Sequence, residues 1–232
     1  MHNTAETGMV CMNKGRLIVL EGLDGCGKST QLERVAEYLE KIGVPHRVVS
    51  FPNYGSPSGK IISDYLAGEI PCEGEAGAYA ASSFYAADRY ISWATQWKSA
   101  YERGEVIVCG RYTTSNAIYQ MTKLPADKRG EFLNWLYDYE YAKLGLPKPD
   151  MVVYLDMPLE VSQSLLSKRY EGDESLKDIH EANIGFMKAC RESAQYAAQR
   201  DGWTVVQCAE NGAARPIEAV TEEIVSKIGA LL

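Results

Sequence analysis

Nowhere does this chain approach the roughly 18 consecutive apolar residues that cross a bilayer. The first fifteen residues, MHNTAETGMVCMNKG, lack the apolar h-region of a signal peptide. They read as a flexible N-terminal tail over residues 1–15. Basic residues are in deficit: 24 Lys and Arg stand against 31 Asp and Glu, the formal net charge is -7, and the pI is about 5.1. Such a balance argues against a partner with a phosphodiester backbone, which is held by a basic surface. The six cysteines, at 11, 26, 72, 109, 190 and 208, form no C-x-x-C pair and have no zinc-ligand spacing. They read as free thiols of a reducing compartment, and Cys109 and Cys208 as small hydrophobes inside strands. Repeats, low-complexity tracts and linkers are also lacking. A cytoplasmic protein with no membrane and no nucleic-acid partner is therefore expected.

What is present is enough apolar material for a core: 46% of the 232 residues. Short apolar runs alternate with helical patterns. Strands are expected at residues 17–20, 47–51, 106–109, 151–155 and 203–208. Between them, Leu32, Val35, Ala36, Leu39 and Ile42 share one helical face, with Gly43 as a stop. Further helices are expected at 60–67, 78–103, 127–143, from Pro158 onward, at 181–200 and at 217–228. Strands spaced by helices call for right-handed crossovers and a parallel sheet covered on both faces. The expected fold class is thus α/β, in three α/β/α layers around about five strands, with residues 16–232 as a single domain.

After the first strand comes Gly22-Leu23-Asp24-Gly25-Cys26-Gly27-Lys28-Ser29-Thr30, which fits GxxxxGK[ST]. Phosphate oxygens need successive backbone N–H groups pointing inward, and side chains on that path would collide with them. Gly22, Gly25 and Gly27 allow it. The helix that starts near Lys28 adds its positive end. Lys28 is placed to reach the β- and γ-phosphates, and Ser29 to ligate Mg²⁺. This is a P-loop, and it implies a nucleoside triphosphate without fixing the reaction.

Six segments in order resemble the thymidylate kinases. They are EGLDGCGKST, FPNYGSPSG, FYAADR, GRYTTSNAIYQ, GLPKPDMVVYLD and KRYEGDESLKDIHE, and the resemblance runs from about Arg16 to the end. It implies a P-loop kinase fold with a mobile lid at about 168–180, ATP as co-substrate, Mg²⁺, dTMP as acceptor, and a homodimer through the long helices. The apolar positions around Ala78 to Trp97 are compatible with that pairing. The resemblance also implies an acceptor site built from Asp24, Phe51, Tyr54, Tyr85, Arg89, Arg111, Ser115, Asn116 and Tyr119. Tyr85 and Arg89 lie one helical turn apart, so a ring to stack on a base and a guanidinium to meet its carbonyl project from one face. A core Tyr beside a surface Arg has the same pattern. Asn116 offers an amide to a base edge, and Tyr119 a ring beneath the sugar; a core or helix-surface place is the plain alternative for each. For Asp24 the alternatives are a sugar 3′-hydroxyl, a metal-bound water, or a turn. Arg111 follows the third strand, where ligands of open α/β sheets bind, and it is expected to be catalytic with Lys28 and Arg169. Lys168 and Arg169 fall in the lid, ordered by Asp178 and Glu181.

Two positions depart from the family pattern. Gly110 stands where the strand-end triad carries Asp, which removes a carboxylate from the metal's surroundings. Asn53 stands where FP-x-Y often carries Arg, and an amide gives up a charge-assisted bond to the acceptor phosphate. These departures leave open a kinase for another nucleotide or deoxynucleoside, or a nucleotide-binding protein with weakened catalysis.

Overall fold

A computed structural model describes residues 14–169 and 183–232, with the side chains of Lys168 and Arg169 left aside. In chain order the elements begin β1 (Leu17–Glu21), α1 (Lys28–Lys41), β2 (His46–Ser50), α2 (Pro57–Leu66), α3 (Gly74–Ser92), α4 (Lys98–Glu102), β3 (Val106–Gly110), α5 (Thr113–Tyr119) and α6 (Arg129–Tyr137). They continue with β4 (Met151–Asp156), α7 (Leu159–Arg169), α8 (Ile184–Asp201), β5 (Thr204–Gln207), the short pair β6 (Ala209–Glu210) and β7 (Ala213–Ala214), and α9 (Ile217–Gly229).

The five long strands form one parallel sheet in the order β2-β3-β1-β4-β5. β1, every residue of it buried, sits at the centre, with Leu20 beside Gly110 on one side and Glu21 beside Tyr154 on the other. Its two neighbours are reached in opposite directions, so the loop after β1 opens at a topological switch point, where open α/β sheets bind ligands. One face of the sheet packs Val35 and Leu39 of α1 and Ile224 and Ile228 of α9 against Ile18 and Leu20. The other packs Leu17 and Val19 against Ala78, Trp97, Phe132 and Ala194. Three layers result, as the alternation of strands and helices requires.

Several boundaries differ from the expectation, each for a local reason. The helix expected at 60–67 starts at Pro57, because the Ser56 side chain caps it by accepting from the Gly59 N–H at 3.0 Å. The helix expected from 78 starts at Gly74 and includes Gly77, where a Cβ would sit 2.2 Å from the Cys72 carbonyl carbon. It passes through a π-helical turn, Trp93–Trp97, into α4. That turn puts Trp93 and Trp97 in the core, so these two are not part of an exposed pairing face. Residues 138–143 are also π-helical and follow α6 directly. Cys208 lies just past β5 rather than in it, though it is buried. α5 was not expected: its TTSNAIY sequence lacks a helical apolar stripe, since both sides of it are buried.

Candidate active site

β1 delivers the chain into the P-loop. Gly25 and Gly27 adopt φ of 78° and 84°, which only glycine takes without strain. At Gly22 a Cβ would lie 2.5 Å from Cys26 Sγ, and at Gly25 it would meet Leu166 Cγ of α7 at 2.9 Å. At Gly27 it would meet nothing within 4 Å, so this glycine faces open space. The tightness at the first two positions comes from the protein itself and presses α7 onto the loop. Lys28 Nζ reaches back across the loop to the Gly22 carbonyl at 3.1 Å. Burial first, then repulsion by Arg111, holds its pKa below the ordinary lysine value.

Asp24, Gly25, Cys26, Gly27, Lys28, Ser29 and Thr30 line one cavity of about 490 Å³. Gly22 stands behind them. The far wall comes from Met157, Leu165 and Leu166 and from the segment after β5, with Cys208, Arg215 and Ile217. Sequence reasoning missed this wall. Arg215 is held there by the Gln207 carbonyl at 2.5 Å and by Glu223 at 2.8 Å. Burial pushes the Cys208 thiol up to about 12, so it is a neutral wall residue.

A second cavity, of about 270 Å³, lies beside the first. It brings together Asp24, Phe51, Tyr54, Tyr85, Arg111, Ser115, Asn116 and Tyr119, joined by Pro52, Leu66 and Gln120, which sequence reasoning did not single out. Asp24 lines both cavities. Its carboxylate accepts from Arg111 Nη2 at 2.5 Å and from the Tyr119 hydroxyl at 3.3 Å. Arg111 also donates to the Tyr119 hydroxyl at 2.9 Å, and its φ of 62° is a left-handed conformation rare for a non-glycine residue. Burial opposes the Arg111 charge, but Tyr119 and Asp24 outweigh it and hold the guanidinium charged beyond its ordinary range. The Tyr85 ring is half-buried, lines this cavity, and lies perpendicular to the Tyr65 ring at 6.3 Å between centroids.

The segment after β3 is fixed by two buried carboxylates that sequence reasoning overlooked. Glu21 accepts from the Tyr112 N–H at 3.1 Å, Thr114 Oγ1 at 2.7 Å and Ser115 Oγ at 2.8 Å. Glu140 accepts from Thr113 Oγ1 at 2.7 Å and Asn116 Nδ2 at 3.4 Å. A third carboxylate, Asp88, takes the Asn53 N–H at 2.8 Å and Ser58 Oγ at 2.6 Å, which pins the loop that carries Asn53 and Tyr54. Glu21 left one signal, a lone acid closing an apolar strand; Glu140 and Asp88 left none, because their partners lie 24 to 51 and 30 to 35 residues away.

Arg89 is held by a buried carboxylate beside the second cavity. The side chain is 1% exposed and is not among the residues that line that cavity. Its Nε and Nη2 donate to Glu140 at 2.6 and 2.5 Å, and its Nη1 to the Tyr112 carbonyl at 3.3 Å. The one-turn spacing from Tyr85 holds, but Tyr85 turns to the cavity and Arg89 into the protein, where a buried guanidinium needs a carboxylate. At Gly110, Leu32 Cδ2 and Ser50 Oγ each stand 3.1 Å from where a Cβ would be, so either side chain would have to give by a few tenths of an ångström to admit one. The side chains of Lys168 and Arg169, together with Asp178 and Glu181, lie outside the described residues. No group of three or more His, Cys, Asp or Glu with metal-site geometry occurs among the described residues.

The model of the family described as thymidylate kinase matches residues 20–224. The thymidylate kinase of Mycobacterium tuberculosis strain H37Rv is 32% identical over 193 residues, spanning 81% of this chain and 87% of that protein. That of Synechococcus sp. strain CC9311 is 34% identical over 218 residues, 90% of this chain and 93% of its own length. A solved structure of thymidylate kinase from Candida albicans superposes with a TM-score of 0.69 at 23% identity, covering 94% of this chain and 92% of the other, which supports the fold.

Proposed function

The chain belongs to the thymidylate kinase family and is an ATP-dependent phosphotransferase that turns dTMP into dTDP; we propose the following division of that work among its residues. ATP lies in the P-loop cavity, its phosphates on the amides of residues 25–30 and on Lys28. dTMP lies in the second cavity, its base on the Tyr85 ring and its phosphate at Arg111. The observation that carries this arrangement is the joining of the two cavities at Asp24. A donor and an acceptor lying there would bring their phosphates together beside Lys28 and Arg111.

The acceptor phosphate is already a nucleophile near neutral pH, so no strong general base is needed. Catalysis is positioning and charge neutralisation. Arg111 has two states in this reading. It pairs with Asp24 and Tyr119 as described above, and it turns to the acceptor phosphate when dTMP enters. Its left-handed backbone, held through Tyr112 by Glu21, aims the side chain into the gap between the cavities. Asp24, freed from Arg111, accepts from the sugar 3′-hydroxyl, while Tyr119 packs beneath the sugar. The Asn116 amide meets the base edge. Asn53 offers the acceptor phosphate a neutral hydrogen bond in place of a cation.

The donor set fits Mg²⁺ in a particular way. With glycine at 110, Ser29, exposed at the start of α1, and Asp24 are two oxygen donors that line the P-loop cavity. Two such groups suit an ion held chiefly by phosphate oxygens and water, as Mg²⁺ commonly is. When bound, it would neutralise charge on the transferring phosphoryl group.

Arg169 at the end of α7 would supply the remaining cation from the lid expected at 168–180. The contact of Leu166 with Gly25 supports this, because it sets α7 directly on the P-loop. Dimerisation would use Tyr90 and Ile91 of α3, each 45% exposed. No helix of the described residues is long and apolar enough to cross a membrane; the cytoplasmic reading rests on the five described cysteines being free thiols. Coupled measurement of ADP release across a panel of monophosphates and nucleosides tests the acceptor assignment. The highest kcat/KM is expected for dTMP, and a panel without thymine preference would remove it.

A further inference from the structure

We infer that a third cavity, between the end of α6 and the starts of β4 and β5, is a further ligand site that takes a small planar aromatic ring carrying a phosphate, and that its occupancy is felt in the acceptor cavity through Glu21. It holds about 370 Å³ and shares no lining residue with the two cavities described above. The site itself is independent of the reading above; only its effect on dTMP rests on that reading.

Tyr137, Tyr141 and Trp203 give this cavity aromatic walls. The Tyr137 and Tyr141 rings are stacked, 5.4 Å between centroids with 16° between their planes. Tyr141 belongs to the π-helical turn 138–143, an irregularity often found beside functional sites. Flat walls suit a flat partner, which gains burial and ring contact together. The volume exceeds the 270 Å³ of the second cavity, which holds a mononucleotide in the reading above, so a ring with a phosphate fits.

The charges decide the sign of the ligand. Asp150 and Asp201 line the cavity, but each is committed. Asp150 accepts from Arg16 Nη1 and from the Leu17 N–H, both at 2.8 Å, and Asp201 accepts from the Tyr137 hydroxyl at 2.5 Å. Burial raises the pKa of the Tyr137 and Tyr141 hydroxyls, so they add no negative charge. Lys148 is exposed, and its Nζ lies 5.9 Å from the centre of the Tyr141 ring. It has no carboxylate partner among the described residues. An ammonium without a counter-ion, set against an aromatic wall, can take a phosphate whose ring lies on that wall.

α5 joins this cavity to the second. Thr114 lines the third cavity, while Ser115, Asn116 and Tyr119 line the second. Thr114 Oγ1 and Ser115 Oγ donate to the same Glu21 oxygen, at 2.7 and 2.8 Å. A hydroxyl has one proton to give. When a ligand oxygen takes that of Thr114, the buried Glu21 loses a donor and draws harder on Ser115 and on the Tyr112 N–H, which it keeps. Ser115 is pulled away from the acceptor, and Tyr112 carries the change to Arg111. Occupancy therefore weakens dTMP binding.

The test is calorimetric titration of the full chain with ADP and dTMP filling both substrate cavities, using 1-naphthyl phosphate and AMP as probes. At least one probe is expected to bind, once per chain. AMP alone would narrow the ligand to nucleotides, and binding of neither overturns the inference. Lys148→Glu should weaken binding by about tenfold or more, since it sets like charges together; Thr204→Tyr, which adds a ring at the cavity wall, should weaken it as well. Unchanged affinity in both variants places the probe elsewhere and overturns the inference. In steady-state rates, the bound probe should raise the KM for dTMP by about fivefold or more, the low end of ordinary coupling between sites. That rise should vanish in Lys148→Glu and in Thr114→Val. A rise that survives Lys148→Glu is competition in the substrate cavities and overturns the coupling, as does a probe that binds and moves neither KM. A rise in the KM for ATP alone, lost in both variants, keeps the coupling and refutes instead the division of the two cavities between ATP and dTMP.

Discussion

Replacing Gly110 by Asp would restore the acid that the family pattern carries at the end of β3, and the structure predicts that it harms the protein. A Cβ at this position lies 3.1 Å from Leu32 Cδ2 and 3.1 Å from Ser50 Oγ, closer than side chains normally approach. The Ser50 hydroxyl is also committed, donating to the Gly110 carbonyl at 3.2 Å. The Cβ alone would shift a methyl group and a hydroxyl. The carboxylate then adds bulk beyond that Cβ, beside the core that α1 lines. Overpacking of this sort costs about 1–3 kcal/mol. At about 2–4 °C per kcal/mol for a chain of this size, the thermal midpoint should fall by about 2–12 °C. Calorimetric scans of the wild type, Gly110→Asp, Leu32→Ala and the double variant form a cycle. Leu32→Ala alone destabilises by loss of packing. In the double variant the freed space should accept the carboxylate, so the combined loss is expected to be smaller than the sum by about 1 kcal/mol or more. Additive losses, or a single Gly110→Asp variant as stable as the parent, would refute the packing argument. A tenfold gain in kcat for Gly110→Asp would refute the further claim that this site works without an acid at position 110.

Two other outcomes follow from the same geometry. The pKa of Lys28 lies below the ordinary 10.5 because it is buried and repelled by Arg111, so the folded protein loses this proton before the unfolded chain does. ATP affinity should fall as pH rises through that lowered value, below 10.5. Over the same interval the ligand-free protein gains stability, since the unfolded state binds more protons there. Titration calorimetry against pH checks this, with Lys28→Arg expected to flatten the profile; a parent profile flat to pH 10.5 would contradict it. At Arg111, both Arg111→Ala and Arg111→Gly should lower kcat by about a hundredfold or more. Arg111→Ala should also be the less stable by about 1 kcal/mol, because its Cβ stays at a φ of 62°; equal stabilities would show that this backbone carries no strain.

How much was legible in the sequence varied with the range of the interaction. Short-range requirements were written plainly. Strands announce themselves as apolar runs, α1 by its spacing, and the phosphate loop by the spacing of its glycines ahead of Lys28 and Ser29, because each depends on neighbours within a few residues. Tyr85, Ser115, Asn116 and Tyr119 were legible through their place in ordered motifs, and the structure gathers them in one cavity with Asp24 and Arg111. For Tyr85 and Arg89, helical spacing gives the angle between the two side chains but not what stands opposite each. The tertiary fold alone brought Glu140 to Arg89, 51 residues along the chain, and turned that guanidinium inward. It also crowded the space beside Gly110 and set Glu21 against the start of α5. Local composition determines what a segment can become. The partner of a buried charge or amide is decided only when distant segments are packed together, because the cost of leaving it unpaired exists only once water has been excluded.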